Sequence, residues 1–434
     1  MKLSKLLLTS TTALGLSMTA AIADSNEAYL DQNGDEHNAL IEQPGSSNDA
    51  GANGAELTQN GHRNDLTIEQ SGDSNEIGLG VNSVTGTTGI LQTHNGAVPA
   101  NSRRGNSLSI TQSSDQNSVG AVDQQSSTQG GFTRNTATII QGGSGEHDIG
   151  SVRQSKGSST RNSLDVTQEG SNNKVATITQ RSGLGGNGLN SINLFMAGDE
   201  NGRGALSGFA AASGATTSTL EQDGRGNSID LVINGRPNIP VPDQNQFGIT
   251  QLGLDNTVNT VTLNSKRANL GIYQDGNRNE VAMSTVEGND NTIGIRQLQD
   301  DNLAQVNITG NGVGNSFFID QDGVFNSGYV TISGSNNGDG LVYGDPLTGP
   351  AQTVTAGVVD WERGVLRQRG DFNSADLSQF GNGNMFGTLQ SGDSNTIVGV
   401  QDGSTNQVAV LQLGDNNTTN YSQTGTGNNA GFVQ

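Results

Sequence analysis

The sequence predicts an all-β fold, a β-solenoid of stacked strand-turn-strand-turn coils of about 22 residues each, with two facing parallel sheets and loop insertions. Three observations predict it. First, glutamine recurs every eleven residues at Gln368, Gln379, Gln390, Gln401, Gln412, Gln423 and Gln434. Glycine follows two residues later, at Gly370, Gly381, Gly392, Gly403, Gly414 and Gly425, and asparagine three after that, at Asn373, Asn384, Asn395, Asn406, Asn417 and Asn428. Second, the residues between alternate: Asn395, Ile397, Gly399 and Gln401 fall on one face of a strand, as do Asn406, Val408, Val410 and Gln412. Third, the remaining four residues of each unit, such as Asp402-Gly403-Ser404-Thr405, are turn formers.

One unit cannot fold alone. It buries about two apolar side chains, worth roughly 1.5–3 kcal/mol each, against an ordering cost of about 1–2 kcal/mol per residue. Stacking closes the deficit, because each strand then shares its backbone hydrogen bonds with both neighbours. It also explains the inward amides. An unpartnered buried amide costs several kcal/mol, but a primary amide both donates and accepts. Files of amides at the ~4.8 Å strand spacing can therefore bond along their own length.

This unit resembles the curlin repeat, the double unit of curli fibre subunits, which are bacterial functional amyloids. The likeness is strict over 365–434 and degenerate over 24–337. It implies a secreted subunit that assembles with itself into extracellular fibres at the cell surface, exported through an outer-membrane channel and started by a nucleating minor subunit. No Lys or Arg follows Arg369, which suits a polymerising subunit better than a basic nucleator. A final regular strand, Asn428 to Gln434, reads as an open template edge. The alternative is a monomeric surface adhesin that binds a ligand through its insertions.

Taken in order, residues 1–23 read as a signal peptide: Lys2 and Lys5, an apolar run to Leu16, then Ala21-Ile22-Ala23 as a cleavage site before Asp24. Repeats start with Gln32-Asn33-Gly34 and Gln43, and continue through Gln59, Gln70, Gln112, Gln141 and Gln168. Insertions are expected near 80–104, 181–218 and 234–247, and again at 338–364. All seven prolines fall in turns or insertions, where a missing N–H does no harm.

The composition excludes several classes. The net charge of −21 becomes −23 once residues 1–23 take away two lysines and no acid, which argues against a nucleic-acid or anionic-lipid partner. There is no cysteine, hence no disulfide and no thiol chemistry. Beyond 1–23, no stretch is long and apolar enough to span a membrane. His37, His62, His94 and His147 read as solvated turn residues, none beside a second ligand at metal spacing. Asp precedes Gly at Asp223, Asp275, Asp322 and Asp402, but without the spacing of calcium-binding nonapeptides. The sequence thus gives no catalytic, cofactor or metal residue; Arg103-Arg104 reads as a solvated pair. Trp361 could form a small apolar patch with Val358, Val359 and Leu366.

Overall fold

The computed structural model describes residues 16–17, 25–82, 85–95, 105–127, 134–156, 160–182, 188–234, 243–310, 312–338 and 348–434. The cleavage site Ala23–Asp24, the pair Arg103-Arg104 and Pro99, Pro237, Pro240, Pro242 and Pro346 lie outside the described residues. Of the 1–23 stretch, only Leu16–Ser17 is described, paired in parallel with Ala39 and Leu40.

The chain is a β-solenoid that divides into two compact units, one of residues 1–203 with 218–229, the other of 204–217 with 230–434. In the first unit one parallel sheet runs Asn38–Glu42, Asp65–Gln70, Ser107–Gln112, Asn135–Gln141, Thr160–Gln168 and Gly188–Ala197. The facing sheet runs Leu30–Asp35, Leu57–His62, Ile90–Asn95, Ser118–Ser127, Asp148–Lys156, Lys174–Ser182 and Thr219–Arg225. In the second unit, one sheet steps from Thr257–Lys266 to Thr418–Thr426. Its partner sheet steps from Gln246–Leu254 to Asn429–Val433.

The period dictates this stacking. Gln379 to Gln401 to Gln423 stand in register across three strands, as do Gln368, Gln390 and Gln412 in the facing sheet. Ile397, Val408 and Val410 are wholly buried between the sheets. Where the spacing departs from eleven, the ladder absorbs the difference: Glu280–Asn289 shifts register against Leu303–Thr309 between Met283 and Val286.

Two expected insertions are partly solenoid. Within 80–104, Ile90–Asn95 is a strand between Leu57–His62 and Ser118–Ser127, with Ile90 and Gln92 turned inward. Within 181–218, Gly188–Ala197 pairs along the whole of Thr160–Gln168. Asn190, Ile192, Leu194 and Met196 are buried there, so the inward pattern is kept, with Met196 standing opposite Gln168. The glutamine-based signature hides this strand because methionine replaces the glutamine.

The true insertions carry two short helices, α1 (Gly208–Ala212) and α2 (Gly349–Thr355). Both lie on the outer face of the second unit's Gln246-to-Val433 sheet. Their backbones approach so closely that only glycine fits beneath. A Cβ on Gly271 would sit 2.0 Å from the Ala210 carbonyl oxygen, and one on Gly431 would sit 2.4 Å from that of Pro350. Phe209 stacks on Phe318 at 6.1 Å. The expected Trp361 patch does not form: Leu366 points into the core, Val359 is 95% exposed, and Trp361 lies over Gly387 instead. The reason is strand alternation, which turns Leu366 to the opposite face of the sheet.

The amide columns as candidate functional site

The inward glutamines in the second unit make two kinds of bond, Gln379 at the start of its column making only the first. Along the column, Nε2 of Gln368 donates to Oε1 of Gln390 (2.9 Å), Gln390 to Gln412 (3.0 Å) and Gln412 to Gln434 (3.2 Å). In the facing sheet Gln379 donates to Gln401 (2.6 Å) and Gln401 to Gln423 (2.8 Å). The second amide hydrogen crosses to the opposite sheet, from Gln390 to the Ser374 carbonyl, Gln401 to Met385, Gln412 to Thr396 and Gln423 to Gln407. The glutamines therefore tie coil to coil and sheet to sheet. All are buried except Gln434. The column extends back through Gln251, Gln274, Gln297 and Gln321. The first unit holds the same arrangement from Gln32 through Gln59, Gln92, Gln124, Gln154 and Gln180 to Gln222.

The asparagines act differently. Oδ1 of Asn373 accepts the backbone N–H of Asn395, whose own Oδ1 accepts that of Asn417. Asn384, Asn406 and Asn428 form the matching file at the other corner. Their Nδ2 groups donate to carbonyls of the glycine turns, Asn373 to Gly392 (2.8 Å), Asn384 to Gly403 and Asn406 to Gly425 (3.1 Å each). Asparagine thus satisfies the backbone where the ladder breaks at a corner. Asn373, Asn384, Asn395 and Asn406 are fully buried, while Asn417 and Asn428 are half-buried.

The glycines shape those corners. Gly370, Gly381, Gly392, Gly403, Gly414 and Gly425 all have φ between +98° and +125°. At Gly403 a Cβ would also fall 1.9 Å from the Gly425 carbonyl oxygen. The residue before each asparagine is left-handed too, including Phe372 and Thr405, a feature that residue type does not announce. Beside the glycines a file of carboxylates accepts N–H groups of adjacent turns: Asp371 N–H donates to Asp393 Oδ1, and Asp393 N–H to Asp415 Oδ1, each at 2.9 Å.

Sequence reasoning misplaced the histidines. His37, His94 and His147 are buried, and two of them occupy asparagine positions in the corner files. Nδ1 of His37 accepts the backbone N–H of Asn64 and Nδ1 of His147 that of Asn173, each at 3.3 Å. The signal was present for His37, which stands five residues after Gln32 in Gln-x-Gly-x-x-His. Among the described residues, no three His, Cys, Asp or Glu side chains gather to hold a metal ion. No helix of the described residues is long and apolar enough to cross a membrane.

Parallel coils bound by glutamine columns and asparagine corners set the terms for comparison with known families. The curlin associated repeat matches at residues 23–53 and 269–298. The chain thus carries the curlin associated repeat at two places. Neither matched segment lies in the strict run after Gln368; both fall where the curlin repeats are degenerate in sequence but intact in register, as between Asn269–Asp275 and Thr292–Leu298. No curated protein matches the chain.

Proposed function

We propose that this curlin-repeat chain is a secreted structural subunit that stacks with copies of itself into curli-like amyloid fibres outside the cell, serving biofilm matrix and surface adhesion. The observation that carries the reading is the pair of hydrogen bonds that a mid-column glutamine such as Gln390 makes, along the column and across to the facing sheet. Every coil leaves amides and backbone groups that only another coil of the same kind satisfies, so a coil from a second copy is the natural complement. The negative charge suits a chain kept soluble during export, and salt would ease its self-association. The curlin repeat adds to this the expectation of an outer-membrane channel and a nucleating subunit as partners, and of a structural rather than catalytic role. The insertion helices support the fibre reading over a monomeric adhesin, since α1 and α2 pack on the chain's own sheet.

Thioflavin-T fluorescence and electron microscopy of the chain lacking residues 1–23 test this. Dye-positive fibres are expected. A preparation that stays monomeric and dye-silent for days at high concentration would overturn the assignment.

A further inference from the structure

All four histidines lie at or before position 147, within the first unit. Two of them do asparagine's work with a different functional group. In the file Asn117, His147, Asn173, the His147 N–H donates to Asn117 Oδ1 at 3.1 Å, just as an asparagine would. Nδ1 accepts the Asn173 N–H, and Nε2 lies 2.6 Å from the Gly142 carbonyl oxygen. Since a carbonyl only accepts, Nε2 carries the hydrogen and Nδ1 is the bare nitrogen. His37 repeats the pattern at the opposite corner, with Nε2 on the Asn33 carbonyl at 3.4 Å and Nδ1 on the Asn64 N–H.

An asparagine oxygen keeps its lone pairs at any pH a cell meets. An imidazole does not. A proton on Nδ1 sets two donors against each other and leaves a charge in a site that, at His147, is wholly buried. The charged groups around His147 are of both signs: Glu146 and Asp148 on its own turn, Asp115 on the preceding one, Lys174 paired with Asp148, and Asp199 and Arg203 further along. Around His37 stand Asp35 and Glu36 on its own turn, with His62, Arg63 and Asp65 on the next. Arg63 is engaged by Glu36, and His62 lies near Asp35. Neither site holds a carboxylate within salt-bridge reach of the imidazole among the described ion pairs.

We infer that His37 and His147 are proton-sensitive links in the corner files, so that mild acid loosens coils of the first unit while the all-asparagine file from Asn256 to Asn417 in the second unit holds. Burial is the leading influence on both imidazoles and favours their neutral form. The unfolded chain then binds more protons than the folded one below the ordinary histidine range, about pH 6.5, and local stability falls as pH drops through it. The device operates in a monomer or a fibre and does not depend on the proposed function.

Amide hydrogen exchange of the full chain at about pH 7.5 and pH 5, corrected for intrinsic rates, tests it. Exchange at Asn64 and Asn173 is expected to quicken at least about tenfold at the lower pH, with Asn395 and Asn406 unchanged. His37→Asn and His147→Asn should each abolish the effect at their own corner. Acceleration that persists in the variants, or none in the native chain, overturns the inference. Histidine C2-hydrogen exchange on the native chain reads the titration directly, whatever the variants do. Midpoints for His37 and His147 at or above that of free histidine would also overturn it.

Discussion

Gln379 stands in register with Ile332 on one side and Gln401 on the other, and its Oε1 is buried without a hydrogen-bond partner. Behind it the same inward file is aliphatic, through Leu263, Val286, Ile308 and Ile332. Gln379 is the place where an amide column begins. Replacing it with leucine only moves the unpaired oxygen to Gln401, so Gln379→Leu should cost no more than about 1 kcal/mol. Gln390 lies mid-column between Gln368 and Gln412, and Gln390→Leu leaves new unpaired groups. It should cost roughly 2 kcal/mol or more. Denaturant midpoints of the two variants rank them, and equal losses would contradict the column account.

Gln401→Glu tests the need for a donor. Gln401 donates to Gln423 and to the Met385 carbonyl, and a carboxylate can do neither. At neutral pH the variant should lose on the order of 3 kcal/mol and assemble slowly. Burial raises the carboxyl's pKa in the folded state, so the penalty is full at high pH and shrinks as acid protonates the side chain. Assembly lag times measured from neutral pH down to about pH 4 check this; a lag unchanged from the native chain at neutral pH would place Gln401 outside the columns.

Two glycines with similar backbone torsion separate torsional strain from stacking. Gly54 has φ of +90° with nothing near its would-be Cβ, whereas Gly403 has φ of +125° and the Gly425 carbonyl 1.9 Å away. Gly54→Ala should cost about 1 kcal/mol, the left-handed penalty alone. Gly403→Ala should cost several times that, because the coils themselves must part. Thermal unfolding of the pair would show it, and similar shifts would argue against close coil contact at the glycine corners.

The single tryptophan reports on the outer face. A Cβ on Gly387 would lie 2.2 Å from Cζ2 of Trp361. Gly387→Ala should therefore push the indole outward and shift its emission to the red, while amide exchange at Gln390 stays as it was. An unshifted spectrum would mean that the ring does not rest on Gly387.

The strand positions were legible because glutamine and asparagine mark both ends of each inward file at fixed intervals. Legibility failed where another side chain did the same job. Met196 fills a glutamine place and so hid the strand Gly188–Ala197. His37 and His147 fill asparagine places and were read as solvated. Residue type gave no hint that Phe372 or Thr405 would be left-handed. The neighbouring coils impose that torsion, and local propensity has no access to them. Nor could spacing show that asparagine bonds chiefly to backbone while glutamine bonds side chain to side chain.

The change from Ile332 to Gln379 has one more consequence. Within 374–434 the coils are nearly interchangeable, and a slip of one whole coil would match amide to amide again. A slip across Ile332 would set a polar head against a methyl group. The aliphatic stretch is thus a registration mark, giving an otherwise self-similar ladder a rung from which every other rung can be counted.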